Sequence, residues 1–211
     1  MPRTSRAIAI DYPHHVTQRG NNREQVFFDK QDRRIYLEFV RQYSRKHQLD
    51  IWAYCLMPNH LHLLVVPRNE KSMARAVGLG SQSYTRYLQR KYLRSGRIWQ
   101  NRYFSCIVDT DEHLWAVARY IEMNPVKAGL VTRAENYQWS SARYHLLGKP
   151  DTLLVKSTWL APAERAAYRT FLLEDDRRQT NALEQATRSG RPFCSAATLL
   201  RLEAMLGRGL C

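Results

Sequence analysis

The chain has 211 residues, 44% of them hydrophobic and 11% aromatic, enough for one substantial domain with an appendage. Lys and Arg number 33 against 19 acids, a formal net charge of +14; an excess of that size points to a polyanionic partner. No run nears the ~20 apolar residues that cross a bilayer, and the N-terminal apolar stretch covers only residues 7–10, too short for a signal-peptide core. Cys55, Cys106, Cys194 and Cys211 form no CxxC pair, which argues against a zinc ribbon or a disulfide framework. A reduced, cytoplasmic protein without membrane association is expected.

HHVTQRG (14–20) reads as a short strand ending at a glycine, and the polar, basic loop RGNNR follows. VFF (26–28) is a second short apolar element. Asp29 or Asp32 then caps a helix to about residue 47, with Ile35, Phe39, Val40 and Tyr43 at helical spacing. IWAYCLM (51–57) is rich in β-branched and aromatic residues and reads as a strand. Pro58 and Asn59 turn the chain, and HLHLLVV (60–66) returns as its hairpin partner, stopped by Pro67. A helix is expected from Ser72 to about Arg94, with Gly78 and Gly80 as weak points. YFSCIV (103–108) is another strand. Thr110 caps a helix that ends near Asn124, because Pro125 follows.

Strand, helix, hairpin, helix, strand, helix indicates an α+β fold, an antiparallel sheet with helices packed on one face. A boundary is expected at GKPD (148–151), dividing a domain at 1–148 from a basic, mainly helical accessory region at 149–211, with helices at 161–173 and 196–206.

The stretch MPNHLHLLVV (57–66) carries the most chemistry. On a strand, residues two apart share a face, so His60 and His62 project together with Cα atoms roughly 6.5–7 Å apart, while Leu61 and Leu63 face the helices. Two imidazoles are too few for a structural zinc site, and on their own they read as well as partly exposed strand histidines. The histidine-triad nucleotide hydrolases need a third histidine where Leu64 stands, and two-histidine phosphoesterases need a second HxS/T motif, which this chain lacks. In ARYIEMNPVKAG (118–129), Tyr120 and Asn124 lie one helical turn apart and share a face. A phenol so placed offers a nucleophile and an amide oxygen a hard metal ligand, although a helical tyrosine is more often packing.

Together, MPNHLHLLVV and RYIEMNPVKAG resemble the IS200-like single-tyrosine transposases of the HUH class, and within them the REP-associated tyrosine transposase branch. PHHVTQRGNNREQVFF, IWQNRYFSCIVD, YQWSSARYH (137–145) and SGRPF…LLRLEAMLGR are similar to that branch as well, in the same order along nearly the whole chain. The resemblance implies an HUH pair at His60 and His62, a nucleophile at Tyr120 and a third ligand at Asn124. Relatives often carry glutamine at that last place, one methylene longer. Glu122 is rotated about 200° from Tyr120 and ranks below Asn124.

The implied activity is metal-dependent cleavage and rejoining of single-stranded DNA through a 5′-phosphotyrosine. The cofactor would be Mn2+ or Mg2+; mixed imidazole and oxygen ligands suit the former, abundance the latter. The implied partner is a hairpin from a repetitive extragenic palindrome, acted on by a monomer or a homodimer in the nucleoid. Phosphate contacts are expected from the loop residues Arg19, Asn21, Asn22 and Arg23. Further contacts are expected from Arg86, Arg90 and Lys91 in YTRYLQRKYLR (84–94), and from Arg102 and Lys127. The tyrosines of 84–94 fit either base stacking or a core-facing stripe. A hairpin-binding protein that does not cut, and an RNA-binding protein, are the competing readings.

Overall fold

A computed structural model describes residues 7–109, 113–155, 159–174 and 176–210. The strands β1 (His14–Arg19), β2 (Leu49–Met57), β3 (His60–Pro67) and β4 (Phe104–Ile107) form one antiparallel sheet in the order β2-β3-β1-β4. The hairpin expected at residues 51–66 forms one side of it, with β2 at the edge, and β1 lies against the other edge of β3, so that β3 and β1 are the central strands.

The helix α1 (Lys30–Lys46) starts at Asp29, whose Oδ1 accepts from Asp32 N at 2.8 Å while Asp32 Oδ2 accepts from Asp29 N at 3.2 Å. Both acids named in the sequence thus serve one reciprocal cap. With α2 (Ser72–Lys91) this helix covers one face of the sheet, closing a core of Val16, Leu61, Leu63, Val65, Tyr36, Tyr84 and Leu88. Residues 26–28 form no strand. Val26 and Phe27 are buried in that core as a loop, and both backbone amides donate to Pro58 O, at 2.9 and 3.1 Å, clamping the hairpin turn.

The opposite face of the sheet is also covered, which adds a second helical layer to the expected architecture. It is occupied by α3 (Leu114–Lys127), α4 (Ala142–Leu147), α5 (Arg165–Leu173) and α6 (Arg177–Ser189), around Cys55, Leu64, Cys106, Val117, Ile121, Tyr168 and Leu183. The last helix, α7 (Ala196–Leu206), packs Leu202 against Ala9 and Ile107. Residues beyond 148 therefore share their apolar contacts with the sheet.

The expected end of α3 at Asn124 is corrected: the helix runs through Pro125 to Lys127. A proline deletes a single amide donor, and the neighbouring bonds carry the turn onward, with Ala128 N on Asn124 O at 3.0 Å and Leu130 N on Pro125 O at 2.9 Å. The cap assigned to Thr110 lies outside the described residues. Among the described residues no helix is long and apolar enough to cross a membrane.

Candidate active site

Antiparallel register places His60 opposite Arg19 and Met57, and His62 opposite Thr17 and Cys55. Both imidazoles point to the sheet face covered by α3 and α6. Their rings meet edge to face, 5.0 Å between centroids, and the Tyr120 ring stands edge-on to His62 at 5.2 Å. A pocket of about 360 Å³ opens there, lined by His60, His62, Tyr120, Asn124, Arg19 and Glu184 among others.

Each histidine has one ring nitrogen tied down. His60 Nδ1 lies 2.6 Å from Asn59 Oδ1, and Asn59 is itself fixed by donating from Nδ2 to Arg23 O at 3.0 Å. His62 Nδ1 lies 2.9 Å from His15 Nε2, and His15 Nδ1 lies 2.8 Å from Thr187 Oγ1. His62 Nε2 is buried with no hydrogen-bond partner. Burial pulls the His60 pKa down to about 4, helped by the charge of Arg19 and opposed by a hydrogen bond to Asn124. Burial likewise takes His15 down to about 3, and it takes His62 well below the usual imidazole range, with His60, His15 and Arg19 adding to the effect. Near neutral pH these rings are uncharged, the state in which imidazole binds a metal.

Asn124 Nδ2 donates to Tyr120 O at 2.7 Å, which leaves its Oδ1 for the His60 side. Two neutral imidazoles, one with an unpartnered buried nitrogen, and a nearby amide oxygen are a donor set that fits a divalent cation. Among the described residues no group of three or more His, Cys, Asp or Glu side chains is placed to share an ion; a cation held by His60 and His62 would take any third protein donor from an amide such as Asn124 Oδ1.

The Tyr120 hydroxyl donates to Glu184 Oε1 at 3.3 Å. Burial raises the phenol pKa well above its usual value, and the charge and hydrogen bond of Glu184 raise it further, against Arg188 and Arg19. Lys127 Nζ sits 5.8 Å from the ring centroid. Glu122, on the far side of α3, is fully buried and takes hydrogen bonds from Ser141 Oγ at 2.6 Å and Tyr168 OH at 3.0 Å, with His145 Nδ1 also in contact. It ties α3 to α4 and α5 and does not line the pocket.

The basic candidates scatter. Arg19 lines the pocket. Asn21, Asn22 and Arg23 form a 3-10 turn just beyond it, with Asn22 and Arg23 exposed and in left-handed conformation at φ 50° and 60°. Lys127 is exposed beside Tyr120. Arg102 lines a separate groove with Gln82, Thr85 and Trp99. Arg86 and Arg90 are exposed on α2, behind the sheet. Lys91 is bound to Asp29 at 2.6 Å and Asp32 at 2.7 Å. The tyrosines of residues 84–94 follow the core-facing alternative: Tyr84 is buried with its hydroxyl on Val26 O at 2.6 Å, and Tyr87 and Tyr92 donate to Asp32.

Sequence reasoning missed His15, Asn59, Glu184, Thr187 and Arg188. For His15 a signal exists, since strand alternation puts it on the face of Thr17 and Arg19. The other four become visible only once α6 and the hairpin turn are docked.

This fold is shared with a protein of known structure. The solved structure of a REP-associated tyrosine transposase bound to a REP hairpin superposes with a TM-score of 0.56 at 17% identity, over 74% of this chain and 93% of that one. The family model for IS200-like transposases matches residues 9–124, and the chain belongs to that family. A Haemophilus influenzae protein assigned as a REP-associated tyrosine transposase is 30% identical, over 48% of this chain. The match spans 63% of that relative's length.

Proposed function

We propose that the protein is a metal-dependent single-stranded DNA endonuclease and strand transferase that works at REP-like hairpins. The observation that carries this reading is the convergence of the Tyr120 hydroxyl and the unpartnered His62 Nε2 on one basic-rimmed pocket. His60, His62 and Asn124 would hold a divalent cation, Mn2+ or Mg2+, which when bound supplies positive charge to polarise the scissile phosphate.

Tyr120 oxygen attacks the phosphorus and the bond to the 3′ oxygen breaks, leaving a 5′-phosphotyrosine and a free 3′-hydroxyl. The phenol proton passes to Glu184, the carboxylate already bonded to it, and the departing 3′ oxygen takes a proton from solvent. A second 3′-hydroxyl reverses the step, so the phosphodiester is exchanged without water or ATP. Arg19, which lines the pocket, and Lys127, beside the Tyr120 ring, neutralise phosphate charge, and the turn at Asn21–Arg23 extends that surface toward the hairpin. His60, His62, Tyr120 and Asn124 come from one chain, which supports a site that works within a single protomer. Residues 1–148 form the catalytic domain on this reading, and residues 149–211 complete its pocket through α6. The setting is the cytoplasm, on nucleoid DNA.

The test is a 3′-labelled hairpin oligonucleotide with a single-stranded flank, incubated with Mn2+ or Mg2+ and run on a denaturing gel. Wild type forms a covalent protein–DNA adduct and Tyr120→Phe forms none. Hairpin binding without an adduct in either metal would favour the non-cutting hairpin binder, and an adduct with Tyr120→Phe would move the nucleophile elsewhere.

A further inference from the structure

A chain of hydrogen bonds runs from His62 into α6, and its direction follows from donors and acceptors alone. Thr187 Oγ1 lies 2.8 Å from Leu183 O, which can only accept, so the single hydroxyl hydrogen is spent there. The same oxygen lies 2.8 Å from His15 Nδ1, which must then be the donor. Cys106 Sγ, at 3.3 Å, meets the hydroxyl's other lone pair. His15 is 1% exposed with both ring nitrogens engaged by uncharged partners, a setting that disfavours a second ring proton. With its one proton on Nδ1, His15 accepts at Nε2. His62 Nδ1, 2.9 Å away, is the donor, and the two rings lie within 8° of parallel with centroids 5.2 Å apart, a geometry compatible with a bond in the plane of both rings. His62 Nε2 is then a bare lone pair. Its buried, unpartnered state agrees, because an N–H there would be an unsatisfied buried donor.

We infer that His15 and Thr187 are positioning residues that hold His62 as its Nδ1–H tautomer, with the Nε2 lone pair aimed into the pocket. Asn59 does the same for His60 from the neighbouring position in the chain. On the cation reading proposed above, on which this role rests, those Nε2 lone pairs are the ones that bind. The partner of a ligating histidine is commonly a carboxylate or a carbonyl; here it is a second, neutral histidine, itself oriented by a helix of the C-terminal region.

Long-range 1H–15N correlation spectra of the metal-free protein, labelled at histidine, read each tautomer directly. His15 and His62 are expected as Nδ1–H in wild type. Thr187→Val keeps the shape and removes the oxygen, so the His15 proton moves to Nε2, that nitrogen becomes the donor, and His62 shifts to Nε2–H. Calorimetric titration should then show Mn2+ affinity lower by about 10–100-fold, and Thr187→Ser should restore both tautomer and affinity. A wild-type His62 protonated at Nε2, or a tautomer that Thr187→Val leaves in place, overturns the inference. If His62 is Nδ1–H and responds to Thr187→Val while wild type binds no Mn2+, the relay stands and the cation reading falls.

Discussion

The Tyr120 hydroxyl, on α3, is hydrogen-bonded to Glu184, on α6, at 3.3 Å. The pair opposes itself, since the carboxylate raises the phenol pKa and yet is the group that would take the proton in the proposed mechanism. Glu184→Gln separates the two effects. It should slow adduct formation at neutral pH by roughly 10²-fold, the usual scale for losing a proton acceptor. Removing the negative charge also lowers the phenol pKa, so the variant's rate should recover as pH rises. Single-turnover rates across pH check both; an unchanged rate at neutral pH would take Glu184 out of the proton's path.

His14, His15 and His62 are buried, and their pKa values lie below the unfolded value of 6.5, at about 4 and about 3 for the first two. Each was depressed mainly by burial, so each contributes stability that is fully present above pH 6.5 and is lost as pH falls toward 4. The slope is at most about 1.4 kcal/mol per pH unit for each histidine. Urea midpoints at pH 7, 6 and 5 should fall progressively. Mn2+ should raise the midpoint by a similar amount at pH 7 and pH 5, because burial keeps the folded-state His60 and His62 rings neutral across that window. A midpoint that stays flat from pH 7 to 5 contradicts the buried neutral histidines.

Gly20 joins β1 to the turn below the pocket, with its amide on Asn59 O at 2.8 Å. A Cβ there would meet Glu24 O at 2.3 Å and Asn59 O at 3.3 Å. Gly20→Ala should destabilise by about 1–3 kcal/mol and should also weaken Mn2+ binding, because Asn59 is the residue that orients His60. Denaturant titration and calorimetry read the two effects; a variant as stable as wild type would mean the turn has room that the geometry denies.

Arg19 and Lys91 look alike in the sequence and should part company on mutation. Arg19→Ala should leave stability near wild type, weaken hairpin binding and reduce the salt dependence of affinity by about one phosphate contact. Lys91→Ala should instead cost about 1–2 kcal/mol of stability, because it strips an ammonium from the buried Asp32 carboxylate, which keeps its other donors. Its effect on DNA affinity should be small. Salt-dependent binding curves beside urea denaturation decide each case.

The legible parts of the fold were those whose period is dictated locally. Strand alternation in HLHLLVV placed His60 and His62 on one face, and the i, i+4 spacing placed Tyr120 over Asn124. What the sequence concealed was α6. In RRQTNALEQATRS polar and apolar residues do separate at helical spacing, but only Leu183 and Ala186 dock, and nothing in that spacing tells which face of the sheet receives them or that contacts such as Arg119 Nη2 on Gln179 Oε1 at 2.9 Å hold the helix there. Glu184, Thr187 and Arg188 were invisible for the same reason. The basic pattern of residues 84–94 did not disclose the ion pairs of Lys91, since charge alone does not reveal that Asp29 and Asp32 lie within reach of it.

The two histidines of β3 receive their Nδ1 partners from very different distances along the chain. His60 takes Asn59, its immediate neighbour, whereas His62 takes His15, 47 residues earlier, and His15 takes Thr187, 172 residues later. On the ribosome, the first arrangement can form as soon as the hairpin has emerged, and the second only after α6 has been made and docked. A nascent or truncated chain that stops before α6 therefore holds the tyrosine and both histidines but lacks the contact that sets His62. Maturation of the pocket is in this way tied to the synthesis and docking of α6.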